Sequence, residues 1–207
     1  MPQATFGYIR SYRFMKNLRG SNLFLIAVVF GIINWAAWPA RGFAPLLFVS
    51  WLPLFIIENH FYNNKTLPRK KLLGLLYVAY FSWNVFTTWW IYYSTAAGAV
   101  MAIGLNSLFM SVVFLAWHYF HMRIKSDWAY TILPVLWITF EYLHLDWDLS
   151  WPWLTLGNGF AAYTKLIQWY EFTGVFGGGL WILVSNILIF LFLKHRKADI
   201  TFARTVL

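Results

Sequence analysis

The 207-residue sequence contains no cysteine. A disulfide, a thiolate metal site and a cysteine nucleophile are therefore excluded within these residues. Charged residues are also scarce, because Asp, Glu, Lys and Arg make up only 11% of the chain while hydrophobic residues make up 60%. So few charged side chains cannot solvate a globular surface of this size. The composition therefore predicts an integral membrane protein.

The sequence also lacks the patterns expected of metal and nucleic-acid sites. No HExxH or other two-histidine helical motif is present. Glu141 and His144 stand three residues apart with Asp146 and Asp148 beyond them, which we interpret as a solvated helix end rather than a metal site. The net charge of +9 comes from Lys and Arg in short segments between apolar runs, as in cytoplasmic loops, so no nucleic-acid partner is expected. We expect no metal and no cofactor.

Six apolar segments satisfy or approach the length of about 20 helical residues that a bilayer core requires. The sequence thus predicts an all-α integral membrane protein, a bundle of six transmembrane helices that forms a single domain over 1–207. Pro45 and Pro53 should kink or tilt the second helix. The predicted spans are approximately 22–38, 43–57, 72–93, 97–119, 128–144 and 175–193.

The basic residues predict how this bundle is oriented. Of the sixteen Lys and Arg residues, Arg41 and Lys165 alone fall in the segments on one side of the predicted membrane. By the positive-inside rule, both termini are therefore expected in the cytoplasm. The N-terminal basic cluster precedes an apolar run without a small-residue cleavage site, so it predicts an uncleaved first helix rather than a signal peptide.

The outer side of the predicted bundle is rich in tryptophan. Most tryptophans near a predicted helix end lie on this side, which favours a lipid-facing or lipid-binding outer surface. The longest outer connection, residues 145–174, is predicted to form an interfacial segment. Residues 160–172 within it mix apolar and polar side chains in a way that predicts a helix lying in the membrane interface.

Glu141 is the ionisable residue that stands out within a predicted span. It follows the unbroken apolar run 134–140 and lies nearer the outer surface than the midplane. An ionisable group at this depth needs a partner or a function. Its carboxyl is interpreted either as a protonated or hydrogen-bonded group that fixes the fifth helix against its neighbours or as a group that binds a polar headgroup.

Other polar or glycine residues in the spans are interpreted as structural. His118 and His121 are expected to be interfacial side chains at the inner end of the fourth helix. The glycine run 177–179 lacks the Lys-Ser/Thr and the preceding strand of a phosphate loop, so it favours close helix packing or a hinge. Side-chain amides within spans commonly hydrogen-bond between helices. Four asparagines are interpreted in this way: Asn34, Asn84, Asn106 and Asn186.

Five segments, taken in order, resemble the membrane half of the apolipoprotein N-acyltransferase family and together cover roughly 33–193. They are WPARGFAPLLFVSWLPL at 38–54, WIYYS at 90–94, LPVLWITFE at 133–141, WPWLTLG at 151–157, and TGVFG at 173–177 running on to Asn186. Family members transfer an acyl chain from a phospholipid, through a cysteine thioester, to the free amino terminus of a diacylglyceryl-cysteine lipoprotein. The resemblance implies a related role for this chain.

The resemblance covers only the membrane half of that family. Family members carry the nucleophilic cysteine, with a glutamate and a lysine, in a nitrilase-like domain on the outer side. Nothing in these 207 residues resembles that domain. Residues 200–207 resemble the first turns of a seventh helix, so we expect a chain truncated before that helix and before the soluble domain.

The resemblance therefore implies a six-helix membrane platform that holds acyl chains near the membrane surface and is inactive alone, with no catalytic residue of its own. Its expected partners are phospholipid, a diacylated lipoprotein and a separate catalytic domain, and its expected location is the bacterial cytoplasmic (inner) membrane. The alternative is a small transporter or a lipid-binding scaffold that uses the Glu141 region as a proton or headgroup site. Six residues are expected to line or support the lipid surface: Trp90, Tyr92, Glu141, Trp151, Pro152 and Trp153.

Overall fold

The computed structural model describes residues 18–39 and 42–206, with side chains as far as Arg196. Within these residues the chain forms six α-helices joined by short 3₁₀ segments, and it contains no strand. The all-helical fold predicted from the sequence is confirmed. The helices are α1 Gly20–Ala37, α2 Leu52–Asn63, α3 Arg69–Thr88, α4 Ala96–Ile124, α5 Ile132–Leu143 and α6 Tyr170–Val206. Some basic residues used to predict the orientation lie outside the described residues: Arg10, Arg13, Lys16 and Arg41.

Four segments of the described chain are long and apolar enough to cross a membrane. These are Gly20–Ala37, Ala44–Asn63, Ala96–Ile124 and Tyr170–Arg196. The other two helices fall short, because α3 begins with three consecutive basic residues and α5 contains only 12 residues. Four such segments make the chain a multi-pass membrane protein.

The second apolar segment is divided into a 3₁₀ helix and an α-helix, each of which has a proline near its start. Pro45 lies in the 3₁₀ helix Ala44–Phe48, and Pro53 lies in the first turn of α2, where its missing N–H leaves no helical hydrogen bond unmade. The chain leaves the helical course between these two elements, at residues 49–51, and the predicted kink or tilt of the span stays a prediction. Beyond residue 57, where the span was predicted to end, α2 continues to Asn63, and this last part carries Glu58, which is buried against α4.

Aromatic rings fill the centre of the bundle. Phe30 of α1, Trp51 before α2, Tyr80 and Trp83 of α3, and Trp137 of α5 are fully buried. The Trp51 and Trp137 rings meet edge to face with their centroids 4.6 Å apart. Phe30 meets three of the other rings in the same geometry, at 5.3 to 6.0 Å. Edge-to-face contacts are favourable because the positive edge of one ring faces the negative face of the next.

Buried asparagines connect the helices. Asn106 Nδ2 of α4 donates a hydrogen bond to Asn84 Oδ1 of α3 at 2.8 Å. Asn186 Oδ1 of α6 accepts one from the Trp51 backbone N–H at 2.9 Å. These three asparagines link different parts of the bundle, as predicted. Asn34 differs, because its amide donates to a carbonyl oxygen of its own helix.

The connection between α5 and α6 is compact and mostly non-helical. It contains three short 3₁₀ segments, Pro152–Leu154, Leu156–Phe160 and Thr164–Leu166. The interfacial helix predicted over 160–172 is therefore wrong. Phe160 is fully buried and stacks on Trp181 of α6 with ring centroids 5.2 Å apart. Because this ring turns into the bundle, the segment does not present one continuous apolar face to the membrane interface.

Helix α6 is broken at Gly174, whose φ of 64° suits a residue without a Cβ. A regular helix resumes at Val175, the residue at which the last span was predicted to begin. The same helix then runs on to Val206, so residues 200–206 continue α6 rather than opening a seventh helix. Leu207 lies outside the described residues.

Candidate functional site

Glu141 lies near the end of α5 and is only 4% exposed. Its Oε1 accepts hydrogen bonds from Trp137 Nε1, one turn earlier, at 2.9 Å and from the Leu156 backbone N–H at 2.8 Å. The carboxyl therefore fastens the long connection onto α5, in agreement with the first interpretation of this residue. Its second oxygen, Oε2, is buried and has no hydrogen-bond partner among the described residues.

The connection also fits closely against the glycine run of α6. A Cβ on Gly157 would collide with the carbonyl oxygen of Val175, and a Cβ on Gly178 would collide with the hydroxyl of Tyr170. That hydroxyl donates a hydrogen bond to the Gly157 carbonyl oxygen at 3.0 Å. The glycines thus allow the segment Leu156–Phe160 to lie directly on α6, and the close packing predicted for the run is confirmed.

A small cavity lies beside Glu141, between α4, α5 and the connection. Its volume is about 10 Å³, which is close to the space that one water molecule needs. Trp151, one of the residues predicted for the lipid surface, lines this cavity together with Glu141. The complete lining is Asn106, Met110, Phe140, Glu141, His144, Leu145, Trp151, Leu154 and Thr155.

A larger apolar groove of about 620 Å³ lies between α4 and α5. This volume falls within the range of about 300 to 1,000 Å³ that is usual for small-molecule sites. Leu108, Val112 and Leu143 on its walls are exposed, so the groove opens towards the side of the bundle. Its lining is Leu108, Phe109, Val112, Val113, Leu136, Thr139, Phe140, Leu143, His144 and Trp147. An apolar groove open to the lipid side can accept a hydrocarbon chain.

His144 stands where the groove and the cavity meet, because His144 and Phe140 line both. The imidazole stacks on the Phe140 ring with centroids 5.1 Å apart. Its Nδ1 accepts a hydrogen bond from Trp147 Nε1 at 2.8 Å. His144 is therefore the polar ring that the groove shares with the cavity beside Glu141.

The remaining residues predicted for the lipid surface lie further out. Trp153 is 52% exposed and meets Trp90 edge to face, with centroids 5.3 Å apart. Pro152 is exposed and begins a 3₁₀ helix, so the chain turns there. Tyr92 is exposed and contacts the neighbouring Tyr93 ring. The structure thus brings Trp90 together with Trp153, and Glu141 together with Trp151, whereas Tyr92 lies apart from both pairs.

A second buried carboxylate, Glu58, was missed by the sequence analysis. The Nδ1 atoms of His118 and His121 lie 2.7 and 2.9 Å from its Oε1. All three residues are buried, so the prediction that the two histidines are interfacial is wrong. A lone glutamate in one apolar helix and two histidines spaced three residues apart on another are the signal that could have revealed this group.

The apolar helices and the groove on the side of the bundle define a multi-pass membrane protein with an apolar groove between two of its helices. Residues 30–188 match the family model described as the apolipoprotein N-acyltransferase N-terminal domain. The chain therefore belongs to the apolipoprotein N-acyltransferase family.

Three curated relatives carry the name apolipoprotein N-acyltransferase. The protein of Chlorobaculum tepidum is 28% identical over 166 residues, which cover 80% of this chain and 30% of the relative. Those of Geobacter metallireducens and Borreliella burgdorferi are 25% and 27% identical, and each match covers 84% of this chain and 34% of the relative. The chain thus spans about a third of the length of these relatives. No solved structure gives a significant match.

Proposed function

We propose that this chain is a membrane platform for phospholipid-to-lipoprotein N-acyl transfer. In this proposal it spans the bacterial inner membrane six times, with both termini in the cytoplasm, and holds phospholipid acyl chains near the outer surface. Family membership supports the reaction class. The observation that carries the proposal is the apolar groove on the side of the bundle, which shares Phe140 and His144 with the small cavity beside Glu141.

In this platform the groove between α4 and α5 takes the hydrocarbon chain, and the connection above it forms the polar end of the site. Glu141 holds that connection through its bond to the Leu156 N–H, and Trp151 covers the space beside it. The exposed pair of Trp90 and Trp153 forms an aromatic rim. Such rings favour the headgroup level of a membrane, where a diacylated lipoprotein would arrive.

The platform by itself is proposed to lack catalysis. Transfer through a thioester requires a thiolate, and the 207 residues contain no cysteine. Ser150 is exposed in the connection, and no described hydrogen bond joins it to a base that could activate it. The nitrilase-like catalytic domain would then come from a segment or a chain other than these residues.

The platform role is tested by measuring acyl transfer with and without a catalytic domain. The purified chain, incubated with labelled phospholipid and a diacylated lipopeptide, is expected to label neither itself nor the acceptor amine. A chimera that joins it to the remaining part of the Chlorobaculum tepidum relative is expected to acylate the lipopeptide. Turnover by the chain alone would overturn the proposal, and an inactive but folded chimera would favour the lipid-binding scaffold.

Occupation of the groove is tested by photo-crosslinking. A phospholipid with a photoreactive acyl chain is incorporated into nanodiscs with the purified protein, and we expect label in peptides containing residues 108–113 or 136–147. Val112→Trp should fill the groove and reduce this label at least about tenfold, the effect expected from roughly 1.4 kcal/mol of lost contact. Val100→Trp is the matched control, because Val100 is 74% exposed on the same helix outside the groove. Equal labelling of both variants would exclude the groove.

A further inference from the structure

Four unpaired buried polar atoms belong to residues that line the small cavity beside Glu141. They are Asn106 Oδ1, Glu141 Oε2, His144 Nε2 and Trp151 Nε1, and none has a hydrogen-bond partner among the described residues. All four residues line the same cavity of about 10 Å³. Buried polar atoms in folded proteins are almost always hydrogen-bonded, so four together indicate a common ligand. The volume admits a ligand about the size of one water molecule.

The two nitrogen atoms act as donors. Trp147 Nε1 lies 2.8 Å from His144 Nδ1, and an indole N–H can only donate. His144 Nδ1 must therefore accept this hydrogen bond. The neutral imidazole then carries its proton on Nε2, the atom that has no partner among the described residues. Trp151 Nε1 is a donor for the same chemical reason as Trp147.

The two oxygen atoms act as acceptors. Asn106 uses its Nδ2 to donate to Asn84 Oδ1 at 2.8 Å, so its Oδ1 is the atom left for the cavity. Glu141 uses Oε1 to accept two N–H hydrogen bonds. Such hydrogen bonds favour the ionised carboxylate, whose Oε2 is then left as an acceptor. The cavity therefore presents two donors and two acceptors to its ligand.

We propose that this cavity is a binding site for a single ordered water molecule. The water accepts hydrogen bonds from His144 and Trp151 and donates to Asn106 and Glu141, which uses both of its protons and both of its lone pairs. A metal cation does not suit the site, because two N–H groups would point towards it. A chloride ion does not suit it either, because a carboxylate and an amide oxygen would face it.

The water would join three parts of the fold that share few direct side-chain bonds. Asn106 belongs to α4, Glu141 to α5, and Trp151 to the connection between α5 and α6. The hydrogen bond from the Leu156 N–H to Glu141 fixes one point of the connection. The ordered water would fix a second point, at Trp151.

The donor and acceptor pattern is tested with a double-mutant cycle. In Glu141→Gln, the amide oxygen must remain opposite its two donors, Trp137 and Leu156, so the NH₂ group replaces Oε2. The water would then face three donors with only two lone pairs. Trp151→Phe removes one donor and restores the balance. We expect the melting temperature of the double variant to fall by less than the sum of the falls of the two single variants.

The matched control pairs Glu141→Gln with Trp153→Phe, a change in the same connection at a side chain that does not line the cavity. This pair is expected to be additive. Additive loss in the Trp151→Phe pair as well would overturn the proposal. If Glu141→Gln does not fold, the proposal is tested with an experimental structure of the unaltered protein. Its resolution must be high enough to show water molecules. A single density peak about 2.7 to 3.2 Å from the four atoms supports the site, and the absence of a peak or an elongated density overturns it.

Discussion

Glu58 and Glu141 are both buried in the bundle, but they form hydrogen bonds with different kinds of groups. Glu141 accepts hydrogen bonds from an indole and a backbone N–H, whereas Glu58 faces two histidines of α4. His121 is further enclosed between the rings of Tyr62 and Trp117, with centroids 4.2 and 5.5 Å away. Glu58 therefore belongs to a packed polar group that fixes α2 against α4.

Glu58→Gln is expected to destabilise the protein. The amide keeps the shape of the carboxylate but removes its charge, so the hydrogen bonds from His118 and His121 become neutral and weaker. The free energy of unfolding should fall by about 1 to 3 kcal/mol, measured by thermal unfolding in detergent. Glu171→Gln is the control, because Glu171 is exposed at the start of α6 and should change stability by about 0.5 kcal/mol or less. Equal losses in the two variants would contradict this role.

At the scale of secondary-structure elements, the contact between the connection and α6 depends on glycine. Gly157→Ala should lower the free energy of unfolding by about 1 to 3 kcal/mol, because its Cβ would meet the Val175 carbonyl oxygen. Gly74→Ala, in the interior of α3 with nothing within 4 Å of its Cβ position, should instead raise it by about 0.5 to 1 kcal/mol. If the melting temperatures of both variants shift in the same direction, the close contact at Gly157 does not determine the stability of this part of the fold.

An ion pair connects two other elements. Asp127 begins the 3₁₀ helix Asp127–Thr131 and lies 2.6 Å from Lys194 Nζ and 2.9 Å from His195 Nε2, both on α6. Burial tends to raise the pKa of this carboxyl. The hydrogen bonds and charges of Lys194 and His195 outweigh burial and hold the pKa below its ordinary value of 3.8. A lowered pKa means that the folded state favours the ionised form, so the pair stabilises the fold at higher pH.

The stabilisation by Asp127 should therefore be present above about pH 4 and be lost as the pH falls through its lowered pKa. The difference in melting temperature between the unaltered protein and Asp127→Asn is expected to be largest above that value and to narrow below it. Asp148→Asn, at an exposed position of the connection, should follow the unaltered protein at every pH. A difference for Asp127→Asn that stays constant down to about pH 2 would contradict the ion pair.

At the scale of the whole molecule, the orientation in the membrane can be tested by cysteine labelling, since the chain has no cysteine of its own. Ser150 and Thr66 are both exposed, in connections predicted to lie on opposite sides. In intact cells with a permeabilised outer membrane, an impermeant thiol reagent should label Ser150→Cys and not Thr66→Cys. Lysed membranes, in which both should react, are the control. The reverse pattern would overturn the prediction that both termini are cytoplasmic.

The helices could be predicted from the sequence because apolar run length and proline act locally. Pro45 and Pro53 each lie at the start of a helical element of the second segment, and Val175 resumes the last helix. Pairing between helices is not local, so the burial of Glu58 against His118 was missed. The sequence predicted that buried amides would form hydrogen bonds between helices, but it did not predict that Asn84 and Asn106 would pair with each other.

The candidate site was predicted less completely than the fold. Glu141 stood out because a carboxyl in an apolar run is rare, but its partner Leu156 is a backbone N–H that no side-chain pattern reveals. Residues 160–172 have a mixed composition that also suits an interfacial helix. The path of these residues depends on the stacking of Phe160 on Trp181 of α6. This contact joins two elements, so it cannot be predicted before the position of α6 is known.

The aromatic centre of the bundle has a consequence for how the protein responds to temperature. In a soluble protein such rings would be stabilised by leaving water, a driving force that weakens on cooling. Helices that separate within a bilayer expose their side chains to lipid chains, which are as apolar as the core itself. The cohesion of Phe30, Trp51, Tyr80, Trp83 and Trp137 then comes from dispersion and ring geometry. Separation of these helices within the bilayer should therefore show a small heat-capacity change and no cold-induced loss of structure.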